Sequence, residues 1–347
     1  MTAKSRRLIL DSESDPFGER SIASIRKRFH LLGGDFRFES SNAELMQLVE
    51  HAYKGLPRHR LSSSPPLFRV KLMLTPTHAE RGRHRLVARH EPAPISMIQG
   101  ANFLGGVTDS STFVVLSPGQ RTALVSVSPE MLHFPYHARY ELIEFAVFTL
   151  AHRAQRMVSL HAACVGLDGR GILLMGPSGS GKTTIALHCL LNGFDFLSED
   201  SVFVAPNTMR ATGISNFLHV RSDSLVWLGR TRQSAIIRKS PVIRRRSGVA
   251  KFEVDLRRQE FRVARTPLAI VAVAFLTPDR AASKPILRLL RKSEMRTKMR
   301  AMQAYGASLP DWPAFSNKVS RLGGFEVRRG NHPLETVQAL RSLLMRG

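Results

Sequence analysis

The segment Gly176-Pro177-Ser178-Gly179-Ser180-Gly181-Lys182-Thr183 constrains this chain more than any other. It fits the spacing G-x-x-x-x-G-K-[ST], in which a glycine-rich turn closes onto the start of a helix. Its flanks fit as well. Gly171-Ile172-Leu173-Leu174-Met175 reads as a buried strand, and Thr184 to Leu191 reads as a helix. Glycines let successive backbone N–H groups turn inward around a phosphate, and the helix N-terminus adds the positive end of its dipole. The expected nucleotide cradle is therefore Gly176, Pro177, Ser178, Gly179, Ser180, Gly181, Lys182, Thr183 and Thr184. Lys182 is placed to reach the β- and γ-phosphates of ATP, and Thr183 to offer its hydroxyl to Mg²⁺.

The segments on either side sharpen the expectation. Leu160 to Gly166 reads as a strand, and Asp168-Gly169 as a hairpin turn leading into Gly171–Met175. Strands joined so tightly must be antiparallel, whereas a doubly wound domain joins parallel strands through helices. A mixed sheet follows. After the helix, Asn192-Gly193 is a stop signal. Phe194 to Ser198 is strand-like and runs into Glu199-Asp200, and Val202-Phe203-Val204 resumes as a strand. Phosphoryl transfer uses one acidic group near Mg²⁺ and one to accept the proton of the attacking hydroxyl. Adjacent strand residues point to opposite faces, so a turn or bulge is required to bring both acids to one place.

His161, the Asp168-Gly169 turn, the Gly176–Thr183 loop, the helix stopping at Gly193 and Leu197-Ser198-Glu199-Asp200 together resemble the catalytic core of HPr kinase/phosphorylase. The resemblance is strongest from Leu160 to Val204. It continues more weakly through Leu268–Leu276 and through Gly324 to Arg328 with the helix that follows. It implies a core like that of ATP-dependent phosphoenolpyruvate carboxykinase and transfer from ATP, with Mg²⁺, to a serine on a small protein. It further implies that Lys182 and Thr183 hold phosphate and metal, that Glu199 or Asp200 is the base, and that Asp200 also serves the metal. Of the two, Glu199 ranks slightly ahead as base. His161 falls on a strand residue near the active site, either as catalytic support or as a hydrogen-bonded core residue. Two departures stand out: Thr184 replaces the family's usual glutamate after the loop, and Glu199 replaces an aspartate. Members of the family form hexamers, which makes a homo-oligomer an expectation, although no interface signature is visible.

Composition limits the partners. Net charge is +24 across 347 residues, from 51 Lys and Arg against 27 Asp and Glu. Such a balance suits an acidic protein or peptide substrate, nucleic acid or an anionic surface, and equally a compositional bias toward arginine. Aromatic residues are scarce, which argues against stacking platforms for single-stranded nucleic acid but leaves nucleic acid open as a partner. Arg244-Arg245-Arg246 reads first as a solvated basic loop, and second as a site for phosphate or an acidic substrate. The longest apolar run, Leu268–Leu276, is too short to span a bilayer. With no secretory start, a cytoplasmic location is the expectation. Cys164 and Cys189 read as small core residues.

Residues 1–150 carry no chemical motif. The first twenty are polar and expected to be loose. Asp35–Ser40 and Phe68–Leu74 read as strands, Asn42 as a helix cap, and Thr112–Leu116 with Thr122–Val127 as a hairpin. Tyr140 to Met157 turns helical. His30, His51, His59, His78, His84 and His90 are scattered among basic residues and read as solvated surface. The fold expected is α/β: residues 151–347 form a P-loop kinase core on a mixed sheet, and residues 1–150 an N-terminal α+β domain. The expected activity is that of an ATP-dependent serine kinase. The alternatives are a small-metabolite kinase with the same core, and a regulatory or nucleic-acid-associated ATPase.

Overall fold

Alternating apolar residues organise the first half of the molecule. The computed structural model describes residues 24–75, 92–258, 261–281 and 284–345. Strands β1 (Ile25–Leu31), β2 (Gly34–Ser40), β3 (Leu67–Leu74), β4 (Ser96–Gln99), β5 (Leu104–Val107), β6 (Phe113–Ser117) and β7 (Thr122–Val127) form a seven-stranded sheet in the order β1-β2-β3-β7-β6-β5-β4. Phe36, Phe38, Phe68, Val70, Leu72, Val114 and Val125 occupy alternate positions and are buried on one face. Helix α1 (Ala43–Tyr53) covers that face with Leu45, Met46 and Val49, and the Asn42 side chain caps it by accepting from the Leu45 N–H at 3.0 Å. A helical segment from Ala138 ends as α2 (Glu144–Ala154), whose Ala146, Val147 and Leu150 join the same core.

The second half is a nine-stranded mixed sheet. Its elements in chain order are β8 (Val158–His161), β9 (Ala163–Leu167), β10 (Arg170–Met175), α3 (Lys182–Leu191), β11 (Asp195–Ser198), β12 (Ser201–Ala205) and β13 (Arg210–Gly213). A small three-stranded sheet is inserted next, made of β14 (Phe217–Val220), β15 (Val242–Arg244) and β16 (Ala250–Asp255), with α4 (Arg232–Arg238) between the first two. The large sheet is completed by β17 (Leu268–Arg280), β18 (Leu287–Leu289) and β19 (Gly323–Arg329). Helices α5 (Lys292–Met302), α6 (Trp312–Val319) and α7 (Pro333–Met345) complete the chain. As the Asp168-Gly169 turn required, β9 and β10 are antiparallel, whereas β10 and β17 are parallel. Asp168 and Gly169 both have positive φ, at 51° and 78°, the geometry of a tight hairpin turn.

Burial on both faces explains the unbroken apolar run in β10. Ile172 and Leu174 pack with α3 and α7, while Leu173 and Met175 pack on the other face with Met295, Trp312 and Phe315. Cys164 and Cys189 are buried, free thiols whose ionisation burial pushes far upward.

Several expectations need correction. The stretch Leu160–Gly166 is not one strand. It breaks at Ala162, so that β8 pairs with β12 while β9 pairs with β10 and β11. His59 is not solvated surface. It is buried, with Nε2 bonded to the Ala264 carbonyl at 2.9 Å and Nδ1 to Thr212 Oγ1 at 2.8 Å. Burial holds its pKa below the usual histidine value. His78, His84, His90 and the polar first twenty residues lie outside the described residues.

Candidate active site

The glycine segment connects the C-terminal end of β10 to α3, next to the parallel strand β17. Two glycines there answer to geometry. A Cβ on Gly176 would stand 2.5 Å from Ser180 Oγ and 2.9 Å from the Leu276 carbonyl, so backbone approaches backbone there. Gly181 caps α3 with φ at 100°, a conformation that disfavours any side chain. The first N–H groups of a helix lack intrahelical acceptors, and those of α3 open onto a cavity of about 630 Å³.

Ser178, Gly179, Ser180, Gly181, Lys182, Thr183 and Thr184 all border this cavity. Gly176 and Pro177, expected in the cradle, do not border it. Their carbonyls accept from Lys182 Nζ at 2.7 Å and 3.3 Å. Burial lowers the Lys182 pKa, against the pull of Asp200. Ser180 Oγ is buried with no hydrogen-bond partner. Thr184 Oγ1 meets Ser224 Oγ at 3.0 Å, so the Thr184 side chain is held by a hydroxyl.

The two neighbouring acids part company. The link between β11 and β12 is only Glu199-Asp200, and the residues face opposite ways. Asp200 borders the cavity with His161. His161 Nδ1 lies 3.8 Å from Asp200 Oδ1, and the His161 side chain is 58% exposed, which sets aside its reading as a packed core residue. Glu199 does not border this cavity. It is buried behind, where Oε1 accepts from the His219 N–H at 3.0 Å and meets His219 Nδ1 at 2.5 Å. Of the two, only Asp200 reaches the cavity beside the glycine turn, and both border a second cavity behind it.

The arginine run Arg244-Arg245-Arg246 is not a solvated loop as a whole. Arg245 Nη2 donates to Asp200 Oδ2 at 3.0 Å, and Arg246 Nε donates to Glu141 Oε1 at 2.7 Å. Only Arg244 stays exposed in the way the sequence suggested. Burial alone would raise the Asp200 pKa, yet Arg245 and then His161 outweigh it and hold the carboxyl below its usual value. Basic groups from distant segments complete the wall. Lys251 stands on β16, and Arg329 at the end of β19 donates to the Gly179 carbonyl at 3.0 Å. At the rim Trp227, 44% exposed, is edge-on to His332 at 5.4 Å. Sequence reading missed Trp227, Lys251 and Arg329, which have no motif spacing to mark them. The run of three arginines in a loop-like stretch was a visible signal for Arg245.

Among the described residues, no three His, Cys, Asp or Glu side chains come together as a metal site, and no helix is long and apolar enough to cross a membrane. A cavity with a glycine turn, a helix N-terminus, several cations, the Arg221-paired Asp223 and the ionised Asp200 is suited to a polyanion with a reacting group near Asp200.

No known family profile matches the chain, and no curated protein does. Among solved structures, the chain is similar to the Hpr(Ser) kinase/phosphatase from Coxiella burnetii, with 14% identity over 55% of this chain and 99% of that one, at a TM-score of 0.25. The likeness is weak and partial, to a mixed α/β architecture.

Proposed function

We propose that this chain is an ATP-dependent phosphotransferase that moves the γ-phosphoryl group to an alcohol. The observation that carries the reading is the meeting, in one cavity, of the Gly176–Thr183 turn with Asp200, whose carboxyl Arg245 and His161 keep ionised. The residues fit the nucleotide. The turn offers backbone N–H groups, Ser180 Oγ is buried without a partner, and Lys182, Lys251 and Arg329 supply positive charge. Trp227 offers an aromatic face to the base. They fit Mg²⁺ as well. This ion is commonly held by one or two protein oxygens together with phosphates, so a cluster of protein ligands is not required. Thr183 would hold it together with the phosphate oxygens, leaving Asp200 free to accept a proton, and it would neutralise phosphate charge when bound.

In this reading Lys182 exchanges the carbonyls of Gly176 and Pro177 for phosphate oxygens. Asp200 accepts the proton of the acceptor hydroxyl as its oxygen bonds to phosphorus. His161 and Arg245 hold the Asp200 carboxylate in place. Glu199, buried against His219, supports the turn from behind and is not the base. A serine on a small acidic protein or peptide and a small metabolite both remain compatible with these residues, because the two differ only in the acceptor site.

Titration of the full chain with Mg–ATP by calorimetry tests the reading. Saturable binding is expected, and Lys182→Ala should weaken it about tenfold to a hundredfold, the worth of charged hydrogen bonds. Equal binding by wild type and variant would sink it.

A further inference from the structure

On the other side of Asp200 lies a second cavity of about 770 Å³, which shares only Asp200 and Arg245 with the first. Its walls come from both halves of the molecule. Met97 and Leu104 belong to the edge of the N-terminal sheet, Phe148 to α2, and Ile214 and Phe217 to the second half. Two buried carboxylates in its wall each keep an oxygen without a hydrogen-bond partner: Glu199 Oε2 and Glu144 Oε1, in residues only 6% and 4% exposed. Buried polar atoms without partners are rare because the lost hydration is not replaced.

Charge adds to the case. Asp200 pairs with Arg245, Glu141 with Arg246 and Glu199 with His219, and the wall's remaining cation, Arg153, is exposed. Nearby, Glu253 pairs with Arg139. Glu144 has no cation of its own. Burial raises its pKa to about 7, against the weaker pull of Arg139 and His219. The cavity therefore combines apolar walls, unmet acceptors and one unmatched carboxyl, beside the carboxylate assigned to the acceptor's proton.

Resting on the function proposed above, we infer that this cavity is the acceptor site, and that the acceptor is an amino alcohol with an apolar body. Its ammonium group lies at Glu144 and Glu199, and its hydroxyl lies at Asp200. The nucleotide and the acceptor then approach Asp200 from opposite sides. The acceptor oxygen bonds to the γ-phosphorus as the bond from that phosphorus to the β-bridging oxygen breaks. ADP leaves with that electron pair, and the hydroxyl proton passes to Asp200. A cavity of this size admits a ligand or a single inserted side chain, and not a folded protein.

The test uses the full chain with Mg–ATP and four probes: leucinol, phenylalaninol, the deamino analogue of leucinol, and a capped seryl tripeptide. Binding is read by calorimetry in the presence of Mg–ADP, and transfer by labelled phosphate. At least one amino alcohol should bind and be phosphorylated, with the deamino analogue at least about tenfold weaker, the worth of a charged hydrogen bond. Met97→Trp, at an exposed rim position, should cut amino-alcohol binding and leave ATP binding intact. Glu144→Gln should narrow the gap between leucinol and its deamino analogue. Equal binding of those two, transfer to the seryl tripeptide alone, or unaltered acceptor binding in Met97→Trp would each overturn the inference while leaving the proposed function standing. Loss of Mg–ATP binding in the wild type would instead remove the function itself, and the inference with it.

Discussion

Arg245 and Asp200, 45 residues apart in sequence, meet at 3.0 Å on the boundary between two cavities. The arginine comes from the turn between β15 and β16 in the inserted small sheet, and the aspartate from the two-residue link between β11 and β12. The pair sets the charge state of the acid, since Arg245 opposes the effect of burial.

Replacing Arg245 with alanine should shift the pH dependence of transfer. Arg245 and His161 hold the Asp200 pKa down, so the carboxylate stays ionised as pH falls. Without Arg245 the folded-state pKa rises, and activity should be lost at a higher pH on acidification. A rate profile with an unmoved acid limb would show that Asp200 is not the titrating base.

The two adjacent acids should differ when neutralised. Asp200→Asn removes the proposed proton acceptor and should lower transfer about 10²- to 10⁴-fold, the usual worth of general-base catalysis, with ATP binding retained. Glu199→Gln leaves that group in place and should lower transfer much less. Its main effects should fall on the buried contact to His219, and so on thermal stability, and on the affinity for an amino-alcohol acceptor. Equal losses of transfer with unchanged stability would reverse these roles.

Glu144 gives a stability prediction with a definite sign. Its folded pKa is raised to about 7 from an ordinary 4.5, so the folded state binds a proton that the unfolded chain releases between those values. Stability should therefore fall as pH rises through that window. Glu144→Gln removes the dependence. The variant should be more stable than wild type at pH ~8 by an amount on the order of 3 kcal/mol, and the gain should vanish near pH ~4.5. Urea denaturation at several pH values reads this directly.

Gly181→Ala should be unfavourable through backbone conformation alone. A Cβ there would meet nothing within 4 Å, but φ is +100°. A cost of about 1–3 kcal/mol is expected in urea denaturation, with weaker ATP binding. Gly119→Ala, also in open space and without positive φ, serves as the control and should change stability by less than about 0.5 kcal/mol.

Local chemistry in the sequence determined a good deal. The Gly176–Thr183 turn between β10 and α3, the Asp168-Gly169 hairpin, the antiparallel β9–β10 pair and the Asn42 cap all depend on residues close together in the chain. Turn stereochemistry and short-range hydrogen bonds act over a few residues, so pattern reading reaches them. The break at Ala162, by contrast, depends on which strands lie beside it, and no local pattern marks it. Only the tertiary structure decided that Glu199 faces His219 while Asp200 faces the glycine turn. It also decided that Arg245 guards that aspartate, that His59 is buried under Thr212 and Ala264, and that a second cavity opens where the two halves meet. These are contacts between segments distant in sequence. Their partners are selected by the packing of sheets against one another, and linear spacing holds no record of that choice.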